Sequence, residues 1–399
     1  MTPGARLAAA IGILDRILDG EGAEPALIRW ARQNRYAGSG DRAAIRDIVF
    51  DGLRRKRSAA ALGGVMSGRG IVLGLVLQQG QDPDTLFTGT GYAPPVLSGA
   101  ERQVIERPVG ASPDVEHDVQ DWVWDILCAD HGEAAPAIAQ ALRDRAEVHL
   151  RVNLAQADRD TARVRLSEQG IETAPHPLAH TALRVIGPDR KLRQSAAFQT
   201  GLVEFQDAAS QHAVTALGPL KGLTVLDYCA GGGGKSLAVA AAGARVTAHD
   251  AAPDRMSDLA DRAARAGARI DVCPPDRLEA GRRFDLVLVD APCSGSGAWR
   301  RSPDAKWRMT PGDLSAYVAL QGQILNKAVQ YCRPGGRLAY ATCSLFRAEN
   351  AAQAARASSE LPLRLLHDRQ LTPLDGGDGF YISVFEVLEN NQGLQSPAN

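Results

Sequence analysis

Residues 224–236, TVLDYCAGGGGKS, lead a short apolar run into four glycines, a lysine and a serine. A strand that exits through glycines into a helix start turns backbone N–H groups toward a ligand at the edge of an open α/β sheet. Two phosphate-binding patterns come close, and both miss. The P-loop pattern G-x-x-x-x-G-K-S/T needs glycine five positions before its last one, and that position holds Cys229. The dinucleotide pattern G-x-G-x-x-G, started at Gly231 and Gly233, needs glycine where Ser236 stands. What survives is a glycine turn that lets backbone approach a ligand closely. Asp250 ends the next strand, at the place where an acid accepts from ribose hydroxyls. The stretch is expected to bind a ligand that contains a nucleoside; a plain helix-start turn beside a solvated aspartate is the alternative.

Downstream, strands and helices alternate. RVTAHD, a short strand near IDVC, FDLVLVDAP, RLAYATCS and FYISVFEVL read as strands. Helical patterns separate them, from about 235, over DRMSDLADRAARAG, from about 313 to 331, and over RAENAAQAARA. This rhythm predicts an α/β domain over 201–389 with a mostly parallel, Rossmann-like sheet and its ligands at the carboxyl ends of the strands. Upstream, EVHLRVNLA and ALRVIG flank a helical stretch and predict a small α+β module over 146–200. Residues 1–145 read as helices, with Asp41 able to cap the one that starts near 40 and a Gly/Pro-rich linker near 89–113. The polar tail 390–399 is expected to be disordered.

Composition sets few limits. The chain has 399 residues, is 45% hydrophobic and 23% charged, and carries a net charge of −1, so it is an ordinary globular protein without global attraction to polyanions. No run is long enough to span a bilayer, and the N-terminal LAAAIGIL meets charge at once in Asp15 and Arg16, so a soluble helix is expected there. Six cysteines without a C-x-x-C pair argue against a zinc site and against a disulfide framework, which predicts a reducing, cytoplasmic setting. His212 and His249 have no evident chemical partner and read as structural.

Two cysteines stand apart. Cys293, in VLVDAPCSGSG with Asp290, and Cys343, in LAYATCSLF, both follow apolar strands. The carboxyl edge of such a sheet is where chemistry occurs. Cys128, Cys273 and Cys332 lie in helical or core-like stretches and read as small buried hydrophobes. An attacking thiol, a second thiol and a carboxylate suit a reaction with a covalent intermediate.

These segments resemble a known family. VLDYCAGGGGKS (225–236), FDLVLVDAPCSGSGAWRRSPDAKW (284–307) and YATCSLFRAEN (340–350) are similar to the motifs of the RsmB/NOP (Sun) family of RNA cytosine-carbon-5 methyltransferases. FQDAASQ (205–211), LRVN (150–153) and DGFYISVFEV (378–387) also resemble its signatures, so the likeness covers about 113 to 388. GSGDRAAIRDIVFDGLRRKR (38–57) is similar to the NusB-like RNA-binding domain of bacterial ribosomal-RNA members, and 146–200 to an RRM-like module.

The resemblance implies S-adenosylmethionine as cofactor and Cys343 as the nucleophile on carbon 6 of cytosine. It implies that Cys293 assists release of the adduct, that Asp290 holds the cytosine ring and that Lys235 organises the pocket. Cys229, Ala230, Gly231, Gly232, Gly233, Gly234 and Lys235 would hold the methyl donor together with Asp290; Asp250 would meet its ribose and Asp276 its adenine. No metal is implied, and a monomer is expected. One departure stands out: the family loop usually runs C-A-A-P-G-G-K, whereas glycines stand at 231 and 232 here.

A base that meets these groups must leave its stack, which favours an exposed loop of structured RNA. WRRSPDAKWR (299–308) mixes cations with aromatics and is expected to touch RNA through Arg300, Arg301, Lys306 and Arg308, with RRKR (54–57) as a second basic cluster. Ribosomal RNA is the expected substrate, with transfer RNA as an alternative. A DNA cytosine methyltransferase would promote Cys293 to nucleophile, but the TCS segment disfavours it, and DAPCS lacks the acid-proline-proline-aromatic loop of amino-group enzymes. A non-catalytic RNA-binding or ribosome assembly factor on the same fold is the remaining rival.

Overall fold

The computed structural model describes residues 1–106, 113–188 and 190–389; the expected tail and residues 107–112 of the expected linker near 89–113 lie outside the described residues, and within that linker Gly99–Glu106 is a helix and not an extended loop. The chain divides into two compact units. One is Met1–Arg145 together with Trp299–Met309, and the other is Ala146–Ala298 together with Thr310–Asn399.

The first unit is helical. Helices α1 (Pro3–Leu18), α2 (Ala23–Gln33), α3 (Ser39–Arg54), α4 (Lys56–Leu62) and α5 (Gly68–Gln78) enclose a core in which Ile13, Leu14, Ile45 and Ile71 are fully buried. The sequence reads as one long helix from 40 to 62, but the chain breaks at Arg55, whose φ of −118° and ψ of 30° leave the helical region. The break lets α4 fold back on α5 so closely that a Cβ on Gly74 would lie 1.9 Å from the Ala59 carbonyl oxygen. Asp41 does not cap α3, whose N-cap is Gly38; its carboxylate accepts instead from Arg6 Nε at 2.9 Å.

The second unit holds two sheets. Strands β1 (His149–Val152), β2 (Glu172–Pro175), β3 (Ala182–Ile186) and β4 (Val203–Phe205) form an antiparallel sheet in the order β2-β3-β1-β4. The helix Arg159–Ser167 is capped by Asp158, which accepts from the Thr161 amide at 2.7 Å. This helix, with Leu166 buried, shares a core with Leu150, Val152 and Val203.

The larger sheet contains β5 (Thr224–Asp227), β6 (Arg245–Ala248), β7 (Ile270–Val272), β8 (Phe284–Asp290), β9 (Cys332–Thr342), β10 (Leu363–Leu371) and β11 (Phe380–Val387) in the order β10-β11-β9-β8-β5-β6-β7. Strands β5 to β9 are mutually parallel, and β11 alone runs against its neighbours β9 and β10. Leu286 and Leu288 enter one core and Val287 and Val289 the other, which is why β8 reads as an unbroken apolar run. Chain order reverses between β5 and β8, so the crevice at their carboxyl ends is the place where an open α/β sheet takes its ligand. The sequence gives no sign of β10, because most of that edge strand is exposed and its residues do not alternate. Among the described residues, no helix is long and apolar enough to cross a membrane.

Candidate active site

The glycine loop leaves β5 and enters the helix Gly234–Ala241. Gly231 and Gly233 have φ of +52° and +77°, a region that only glycine adopts without strain. A Cβ at Gly233 would also lie 2.2 Å from Leu259 Cδ1. The turn is tied to the next strand: the Gly231 amide donates to Asp250 Oδ2 at 2.9 Å and the Ala230 amide to the His249 carbonyl at 2.8 Å. Asp250 is buried, and its second oxygen accepts from the Ala252 amide. Arg255 Nη1 lies 3.2 Å from Asp250 Oδ2. His249 faces the Tyr228 carbonyl through Nδ1 at 2.9 Å and stacks on the Tyr228 ring, while His212 Nδ1 faces the Leu178 carbonyl at 2.9 Å.

Under the loop lie two polar pairs. Lys235 Nζ donates to Asp290 Oδ2 at 2.6 Å and sits 4.8 Å from the centre of the Phe380 ring. The pair joins the first turn of the helix after β5 to the end of β8. Ser236 Oγ donates to Asp227 Oδ2 at 2.6 Å. Asp227 is 1% exposed and its Oδ1 has no hydrogen-bond partner. Burial pushes its carboxyl up to about 7, against a smaller opposing effect from Ser236. Nothing in the sequence singles out Asp227, because an acid closing a buried strand looks like any strand-end residue; the signal is the serine nine positions later.

The cysteines meet. Cys293 Sγ and Cys343 Sγ are 3.5 Å apart, although fifty residues separate them. The parallel pairing of β8 and β9 brings their loops together, and the Gly297 amide donates to the Cys343 carbonyl at 3.0 Å. The bond to Cys343, and then burial, holds the Cys293 thiol well above its usual range, so Cys293 keeps its proton. Beneath the thiols, Ser294, Ser296 and Ser344 bring their hydroxyl oxygens within 3.1–3.2 Å of one another, around the buried Glu349. None of these four residues stands out in the sequence.

Of the remaining cysteines, Cys273 and Cys332 are buried as expected, whereas Cys128 is exposed on the outer face of its helix. The Cys229 thiol, beside the glycine loop, is pushed up by burial and then by Asp227. Asp276 lies exposed on the turn after β7, at the same sheet edge as Asp250.

The expected RNA contacts fare differently. Arg300 is 6% exposed and Lys306 1% exposed, and both belong to the helical unit. Lys306 Nζ donates to the Arg54 carbonyl at 3.0 Å, Trp307 Nε1 to the Leu53 carbonyl at 2.6 Å, and Arg54 Nε to the Arg300 carbonyl at 2.8 Å. The segment thus caps the carbonyl end of α3, which lacks intrahelical partners and favours cations. The two basic clusters are packed on each other, and Arg300 and Lys306 are not surface cations. Arg301 and Arg308 stay exposed.

Residues 214–385 match the family model described as 16S rRNA methyltransferase RsmB/F, and residues 120–190 match the ferredoxin-like domain of RsmF/B-like methyltransferases. The ribosomal RNA small subunit methyltransferase B of Sodalis glossinidius is 33% identical over 304 residues, covering 72% of this chain and 68% of that protein. The protein of the same name from Klebsiella pneumoniae is 34% identical over 260 residues, covering 61% of this chain but only 60% of its own length. Among solved structures, a methyltransferase homolog from Pyrococcus horikoshii superposes with a TM-score of 0.61 at 25% identity, over 69% of this chain and 98% of that one. The chain belongs to the RsmB/F family of ribosomal RNA methyltransferases.

Proposed function

We propose that this protein transfers a methyl group from S-adenosylmethionine to carbon 5 of a cytosine in ribosomal RNA, in the cytoplasm, through a covalent protein–RNA intermediate. The observation that carries this reading is the Cys293–Cys343 thiol pair, 3.5 Å apart, at the same sheet edge as the Lys235–Asp290 pair. Relatives named for small-subunit ribosomal RNA support the substrate class.

The loop fits the cofactor. Gly231 and Gly233 open the backbone, Asp250 braces it at the ribose position, and the orphaned Asp227 Oδ1 turns an unused acceptor to the same strand end. Cys229, Ala230, Gly232, Gly234 and Lys235 complete this wall, with Asp276 on the adenine side. When bound, S-adenosylmethionine supplies the methyl group.

The chain's own residues do the rest. The Cys343 thiolate attacks carbon 6 of the cytosine, and the electron pair displaced from the ring double bond makes carbon 5 the nucleophile that accepts the methyl group. Asp290, oriented by Lys235, holds the ring by hydrogen bond. Once water has taken the proton from carbon 5, the carbon–sulfur bond breaks and its electrons return to Cys343. Cys293, which retains its proton, hydrogen-bonds the departing sulfur. Arg301 and Arg308 contribute phosphate contacts from the surface. The test is methyl transfer from labelled S-adenosylmethionine to small-subunit ribosomal RNA, with bisulfite sequencing of the product; wild-type levels of transfer by Cys343→Ala would remove the nucleophile from this scheme.

A further inference from the structure

Both cysteine loops converge on one buried carboxylate. Glu349, fully buried on the turn Arg347–Glu349, accepts through Oε1 from the Ser294 amide at 2.8 Å and from Gln321 Nε2 at 3.0 Å. Through Oε2 it accepts from the hydroxyls of Ser294 and Ser344, each at 2.5 Å. Ser294 follows Cys293 in the chain, and Ser344 follows Cys343. Gln321 also donates to the Pro292 carbonyl at 3.0 Å, so Cys293 is fixed on both sides.

The far side of the Cys343 loop is held by the next residue. Asn350 Nδ2 donates to the Ser344 carbonyl at 2.9 Å, and Asn350 Oδ1 accepts from Thr342 Oγ1 at 2.5 Å. The Tyr340 hydroxyl donates to the Glu349 carbonyl and locks the turn to β9. The four partners of the Glu349 carboxylate are neutral donors. A buried carboxylate held this way is fully satisfied but intolerant of change, since each lost donor leaves charge uncompensated. It also adds negative potential that helps keep the Cys293 proton in place.

We infer that Glu349 is a positioning residue that ties the Cys293 loop to the Cys343 loop through Ser294 and Ser344, and so sets the separation of the two thiols. Its consequence for turnover rests on the function proposed above; its effect on the thiol pair does not. A structural role alone would lower stability and leave the thiol–thiol geometry of the folded protein untouched.

The experiment therefore reads the thiols directly. Diamide takes the two thiol hydrogens with two electrons and leaves a Cys293–Cys343 disulfide, which peptide mass spectrometry follows in the full-length protein. Glu349→Ala is expected to slow this crosslink about tenfold or more, since misplacing reacting groups by an ångström can cost about 10²-fold. Glu349→Gln, which keeps one acceptor oxygen, should fall between. In methyl-transfer assays the same variants should lose kcat while KM for S-adenosylmethionine stays put, as expected of a group that acts only through the cysteines.

If Glu349→Ala does not fold, the pair Ser294→Ala with Ser344→Ala is measured instead, with the same expectation. A crosslinking rate equal to wild type in either folded variant overturns the inference, whatever the enzymology. A slowed crosslink in a protein whose wild type transfers no methyl group to RNA sustains the positioning role and overturns the functional proposal alone.

Discussion

Residues 290–298 and 299–309 are consecutive in the chain and both read as functional in the sequence, yet they serve different ends. The first stretch belongs to the sheet-bearing unit and carries Asp290 and Cys293 to the carboxyl edge of β8. The second belongs to the helical unit, where Trp299, Arg300 and Lys306 are buried and Lys306 and Trp307 cap α3. A run of cations and aromatics beside a reactive cysteine suggests a nucleic-acid surface; here most of it is an anchor. Residue type reports what a side chain can bind, and burial decides which partner it takes.

The largest effect should come from the first stretch and its partner loop. Cys343→Ala is expected to lower methyl transfer by roughly 10⁴-fold or more, as removal of a covalent nucleophile does. The structure should be unchanged, because Cys343 is only partly buried. Cys293→Ala should act on the other half of the cycle. With the group that assists the departing sulfur gone, the covalent protein–RNA species should accumulate and survive denaturing electrophoresis. If Cys293→Ala releases RNA as fast as wild type, the two thiols do not divide the work as proposed.

The second stretch should respond in stability and not in chemistry. Burial pushes the Lys306 ammonium down to about 7, with Asp118 the main opposing charge. Between about pH 7 and the ordinary lysine range the unfolded chain holds a proton that the folded one has released, so this group makes stability rise with pH across that window. Below pH 7 both states are charged and the cost of burial is fully present. Lys306→Met removes the titration. Its stability relative to wild type should be most favourable near pH 6 and decline by at least about 1 kcal/mol by pH 10 in urea unfolding. Arg308→Ala, by contrast, should leave stability alone and reduce the salt dependence of RNA affinity by roughly one phosphate contact. A pH-independent gap for Lys306→Met, or an unaltered salt slope for Arg308→Ala, would erase the distinction between buried and surface cations.

How much of this was legible follows from where each signal resides. Strand β8 is buried on both faces, so its apolar run announces a central parallel strand. The glycine loop shows itself because positive φ at 231 and 233 restricts the residue choice locally. Strand β10 is exposed along most of its length, so nothing in its composition requires a sheet. The break at Arg55 is set by the packing of α4 on α5, a tertiary demand that helix propensity does not carry. The thiol pair depends on register between two parallel strands, and the Glu349 carboxylate on four donors drawn from three separate segments. A serine after each cysteine is too common a pattern to reveal them. Arg300 and Lys306 misled for the opposite reason: their chemistry was plain, and the α3 residue that buries them lies some 250 residues earlier, Arg54, whose carbonyl accepts from Lys306 and whose Nε donates to the Arg300 carbonyl.

The smallest effect concerns the loop itself, where glycines stand at 231 and 232. Gly232 is not in the left-handed region, unlike Gly231 and Gly233, and the nearest atom to an added Cβ is the flexible Arg262 Nη1 at 3.2 Å. Proline at this position would therefore act mainly on the unfolded chain, by removing conformations that glycine allows. Gly232→Pro is expected to raise the unfolding free energy by less than about 1 kcal/mol and to leave affinity for S-adenosylmethionine at or slightly above wild type, as calorimetry would show. A marked loss of either would mean that the loop exploits freedom at Gly232 that the left-handed turns at Gly231 and Gly233 do not supply. In that case the glycines would do more than open the backbone, and the looser loop would be part of how this chain takes its methyl donor.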